Sequence, residues 1–146
     1  MSLVGDVITA LKAITPAPFA IVEGAVELAA VKAGRPVALP AAYVFVRREA
    51  AGPSERATGP VLQRIERDLA VMLIAENLAD LHGGALGEDL EVLKRAVKST
   101  VVGFVPAASP DGSPCEFVGS EIVRLGNGVV WNELIFSAAT YEGESS

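Results

Sequence analysis

The stretch Arg47-Arg48-Glu49-Ala50-Ala51-Gly52-Pro53-Ser54-Glu55-Arg56-Ala57-Thr58-Gly59-Pro60 lies between two apolar runs. These are Tyr43-Val44-Phe45-Val46 and Leu69-Ala70-Val71-Met72-Leu73-Ile74. After Pro60, Val61, Gln63, Ile65 and Arg67 alternate with Leu62, Arg64, Glu66 and Asp68. Alternation of this kind suits a strand with one buried face. Gly52-Pro53 and Gly59-Pro60 read as turns or loop edges, because glycine supplies unusual dihedrals and proline ends ladder pairing. Two long strands that leave the core and meet at a charged tip follow from this pattern. Hairpin loops need only about 2–5 residues, so a longer polar excursion points to a working surface. The competing reading is a solvated loop. The intermixed charges of Arg47, Arg48, Glu49, Glu55, Arg56, Arg64, Glu66, Arg67 and Asp68 make these the candidate interface for another protein surface.

Outward from this stretch, helical spacing alternates with strand patterns. Leu3, Val7, Leu11 and Ile14 recur about one helical turn apart, and Thr15-Pro16-Ala17-Pro18 stops that helix. Phe19–Val22 is a short strand candidate, and residues 23–33 form an alanine-rich helix with Val26, Ala29 and Ala30 on one side, ended by Gly34. Residues 61–76 are ambiguous, since Val61, Ile65, Leu69 and Leu73 also fit helical spacing. β-Branched content and the neighbouring strand favour a strand there. Leu86, Leu90, Leu93, Val97 and Val101 form the apolar stripe of a core-facing helix over 88–102. Glu88 and Asp89 at its start and Lys94, Arg95 and Lys98 towards its end complement the helix dipole. Gly126-Asn127-Gly128 is a hairpin turn between strands 117–125 and 129–141. The order predicts an α+β fold: a mainly antiparallel sheet of about four to five strands, two main helices on one face, and a long protruding β-hairpin arm.

The chain has 146 residues, 51% of them hydrophobic, which predicts one domain with a well-filled core. That domain is expected over 1–141, with 142–146 as a disordered acidic tail. The apolar surplus also points to surface buried against other subunits. No apolar run approaches the roughly 18 residues of a membrane helix, so no membrane partner is expected. The first residues lack a basic n-region, and Asp6 interrupts any signal-like stretch, so cleaved export is not expected. Cys115 is the only cysteine, which rules out an internal disulfide and fits a reducing compartment. Eighteen acidic against twelve basic residues leave a net charge of −6, which opposes phosphate neutralisation and hence nucleic-acid binding.

Catalytic, cofactor and metal sites are not expected. His82-Gly83-Gly84 is similar to the oxyanion loop of some esterases, but the Gly-x-Ser-x-Gly elbow is missing. Cys115, between Pro114 and Glu116, reads as a structural cysteine rather than a nucleophile. Asp80 with His82 is too sparse for a metal, and no phosphate loop is present. Trp131 reads as core or subunit interface.

The order of segments resembles the tail terminator proteins of long-tailed bacteriophages and prophages over nearly the whole chain. The likeness is carried by the opening helix 4–14, Val22-Glu23-Gly24-Ala25-Val26-Glu27-Leu28 and Ala38-Leu39-Pro40-Ala41-Ala42-Tyr43-Val44. It continues in Ala57-Thr58-Gly59-Pro60-Val61-Leu62-Gln63, in Asp89-Leu90-Glu91-Val92-Leu93-Lys94-Arg95-Ala96-Val97, and in the turn before Val130-Trp131. The resemblance implies a non-catalytic virion protein that caps the tail tube as a ring, usually six-membered. It further implies that the ring stops tube polymerisation and offers the surface for head attachment. The partners so implied are further copies of the chain, the tail tube protein and a head-completion or neck protein. The implied location is the virion tail, and the host cytoplasm during assembly. The rival readings are another neck or head–tail joining component and a small ligand-binding module or enzyme.

Overall fold

The computed structural model describes residues 3–76, 85–105, 114–126 and 128–143. Eight elements follow in chain order: α1 (Leu3–Lys12), β1 (Ile21–Glu23), α2 (Ala25–Lys32), β2 (Ala41–Ser54), β3 (Leu62–Glu76), α3 (Ala85–Val101), β4 (Glu116–Gly126) and β5 (Val129–Gly143). The strands form one sheet in the order β1-β2-β3-β5-β4. Only the short β1–β2 pair is parallel; the other three pairs are antiparallel. The predicted α+β architecture is therefore present, and the ambiguous stretch 61–76 is strand from Leu62 onward rather than helix.

Period-2 alternation in β2, β3 and β5 sends apolar side chains to both faces of the sheet, and different helices cover them. Ala42, Val44, Val71, Leu73, Leu134 and Phe136 form one cluster with Val7 and Leu11 of α1 and Leu90, Leu93, Val97 and Val101 of α3. On the opposite face, Tyr43, Met72, Ile74 and Trp131 pack with Leu28 of α2. The two longer helices thus share one face as expected, while the alanine-rich α2 sits on the other. Gly103 adopts a φ of +85° just past α3, the left-handed conformation that closes helices.

The β2–β3 hairpin differs from a free arm. β3 pairs with β2 along one side and with β5 along the other, out to Leu62 opposite Gly143. The outer half of the hairpin is consequently one edge of a three-stranded ribbon, and its projection as a separate arm is not confirmed. β5 continues through Glu142 and Gly143, which pair with Gln63 and Leu62, past the expected domain end at 141. Gly52-Pro53 is not the turn either. β2 carries it at a register shift between Ala51 and Ser54, a bulge on an outer strand where proline's missing N–H costs no ladder bond. The loop spans residues 55–61, where Ser54 Oγ accepts from Leu62 N at 3.2 Å and Glu55 N donates to Leu62 O at 2.7 Å.

Candidate assembly interface

Strand register decides which of the nine candidate charges meet. Glu49 lies opposite Arg67, whose Nε sits 3.1 Å from Glu49 Oε2. The same guanidinium donates to the Thr140 hydroxyl on β5, so Arg67 ties all three ribbon strands. Arg64 Nε is 3.6 Å from Glu66 Oε1, and its guanidinium lies 6.0 Å from the centre of the Tyr141 ring. Tyr141 in turn donates to Glu55 Oε1 at 3.3 Å. Arg47 reaches Glu133 of β5 at 3.6 Å; the glutamate is buried while the arginine side chain is 52% exposed. Arg48, Arg56 and Asp68 close no ion pair among the described residues, although Asp68 lies opposite Arg48 in register. Most of the nine charges therefore brace the ribbon. Arg48 and Arg56 are the cations left over.

A second surface went unread in the sequence. All but one residue of β4 is exposed, although the strand carries Val118 at 62% exposure, Ile122 at 54% and Leu125 at 61%. β4 is an edge strand, paired only with β5. Rings hold it in place. Lys98 of α3 lies 4.3 Å from the centre of the Phe117 ring, Phe117 meets Phe136 edge-on at 5.5 Å, and Arg124 lies 5.3 Å from the Trp131 ring centre. Amino-acid type alone gave no signal, because the same apolar content would suit a strand covered on one face.

The residues weighed for chemistry fall elsewhere. His82 and Asp80 lie outside the described residues. Cys115 is buried, and its backbone joins the end of α3 to β4: Gly103 N donates to Cys115 O at 2.9 Å and Cys115 N to Phe104 O at 2.8 Å. Burial raises its thiol from about 9 to about 11. The folded chain thus holds its proton between these values while the unfolded chain releases it, so stability from this group is full below pH 9 and is lost as pH rises towards 11. Because the thiolate is the nucleophile, iodoacetamide at pH 8 should alkylate the native thiol far more slowly than the denatured one. Equal rates would show an accessible thiolate. Alanine at both His82 and Cys115 should leave the assembly role implied by the family resemblance unchanged, as scored by the yield of complete particles.

Among the described residues no group of three or more His, Cys, Asp or Glu side chains is placed to hold a metal. A cleft of about 450 Å³ between Leu39, Pro40, Ala75, Val92 and Leu93 is mainly apolar, with Glu76 the one titratable group in its described lining. A charged ribbon braced by internal pairs thus lies at one side of the sheet and an exposed apolar edge strand at the other. The sequence matches the phage tail terminator protein family over residues 3–144, and the chain belongs to that family. Its role is accordingly that of a structural component of a phage tail. Among solved structures the fold is similar to a chain from the "Virion of native gene transfer agent (GTA) particle". The TM-score is 0.61 at 16% identity, covering 97% of this chain and 100% of that one. No curated protein sequence matches.

Proposed function

We propose that this chain caps the finished tail tube as a closed ring of identical subunits, most simply six. The ring ends tube polymerisation and presents its outer face to the head-completion proteins. The observation that carries this reading is the family match over nearly the whole chain. The surface chemistry supports it: Arg48, Glu49, Arg64, Glu66, Arg67 and Asp68 are charges held in strand register, a better basis for recognition than for catalysis. A subunit in a cyclic ring must offer two different patches, because each contact is head-to-tail. The net charge of −6 suits an opening through which DNA passes without sticking. Assembly would take place in the host cytoplasm, and the finished position is the virion tail. Removing the gene should yield tails of broad, abnormal length that fail to join heads, measured by negative-stain microscopy. Tails of normal, uniform length that lack only heads would instead assign the protein to the neck, the joining role of the rival reading.

A further inference from the structure

We propose that β4 is the second half of the ring contact, and that its occupant is the β2–β3 hairpin of a neighbouring copy of this chain. This rests on the ring reading above. The two surfaces are complementary in charge once internal pairs are set aside. On the hairpin, Arg47, Glu49 and Glu55 are engaged by Glu133, Arg67 and Tyr141, which leaves Arg48 and Arg56 as the exposed unpaired charges, with the half-buried Asp68 opposite Arg48 in register. On β4, Arg124 stacks on Trp131, while Glu116 and Glu121 are exposed and close no ion pair among the described residues. The exposed leftover charges are thus cations at one side of the sheet and carboxylates at the other.

The same charges disfavour the alternatives. Two hairpins meeting about a two-fold axis would bring Arg48 and Arg56 towards their own copies, and β4 meeting β4 would do so for Glu121. Pro53 and the arginines are also devices that keep an outer strand from pairing with another like itself. β4 carries no lysine or proline, yet exposes large apolar side chains along a sheet edge, an arrangement that invites a covering partner. Hairpin onto β4 is a heterologous contact, and repeating it around an axis closes a ring.

Two singly substituted proteins, Arg48→Cys and Glu121→Cys, mixed with tail tubes and oxidised, provide the test; native Cys115 is buried and stays out of the reaction. The expected product is a crosslinked dimer of one copy of each, in clear excess over either homodimer. Ile122→Lys, at an exposed position, should keep the folded circular dichroism spectrum and lose rings. Wild-type rings seen by microscopy with no mixed crosslink, or rings retained by Ile122→Lys, would overturn this interface and leave the ring reading standing. Predominant Glu121→Cys homodimers would replace it with a two-fold contact. Wild-type protein that stays monomeric on tubes would defeat the ring reading, and this inference with it.

Discussion

Val97→Asp is expected to leave the chain unfolded. Val97 is completely buried on α3, within the cluster that joins α1 and α3 to the sheet. A carboxylate there has neither water nor a cation to meet. An uncompensated buried charge costs about 3–5 kcal/mol, and the lost apolar packing adds to that. Domains of this kind hold only about 5–15 kcal/mol in total. Leu93→Asp, one turn away on the same buried stripe, should act in the same direction. The check is a thermal or urea melt followed by circular dichroism. A cooperative transition near the wild-type midpoint would show that α3 does not close the core.

Reversing Arg48 and Arg56 to glutamate should have the opposite profile, with assembly lost and the fold retained. Neither side chain closes an ion pair among the described residues, and exposed pairs contribute only about 0–1 kcal/mol in any case. Across an interface the same reversal places carboxylates against Glu116 and Glu121, and like charges brought together oppose binding strongly. Arg47 must be kept out of this variant. Its reversal would set a carboxylate beside the buried Glu133, 3.6 Å from the present cation, and leave that glutamate without its partner. A loss of about 1–3 kcal/mol of stability is expected from Arg47→Glu alone. Normal tail capping by the Arg48/Arg56 double variant, scored by tail length, would show the hairpin to be a passive surface.

The parts of the fold that were legible are those whose pattern is local. α3 announces itself through Leu90, Leu93, Val97 and Val101, which the structure buries together against the sheet. The last hairpin announces itself through its glycines, and Gly128 does adopt a φ of +76°. What depends on distant neighbours was not legible. α2 has a weak amphipathic stripe: the side carrying Val26, Ala29 and Ala30 reads as its apolar face, yet Val26 is 81% exposed, and the placement of Leu28 among Tyr43, Met72 and Trp131 fixes the buried face opposite α1 and α3. The hairpin reads as a free arm because nothing local says that β5 will run beside β3 as far as Gly143. Its charges form a single undivided group in the sequence. Register, including the shift between Val46 and Arg48, then pairs Glu49 with Arg67 and sends Arg47 to Glu133. The exposure of β4 is the clearest case. Phe117, Val118 and Ile122 look like residues destined for a core, and only the strand order shows that they lie on an edge strand.

In the proposed role this family member works by closing a ring on the end of a tail tube. The most direct measurement is negative-stain microscopy of purified protein mixed with its cognate tail tubes, with class averages taken down the tube axis. The expected result is a closed ring of identical subunits, six in number, seated on one end of each tube, and no further growth when tube protein is added. Protein that remains monomeric in the presence of tubes, with tubes that continue to elongate, would contradict it.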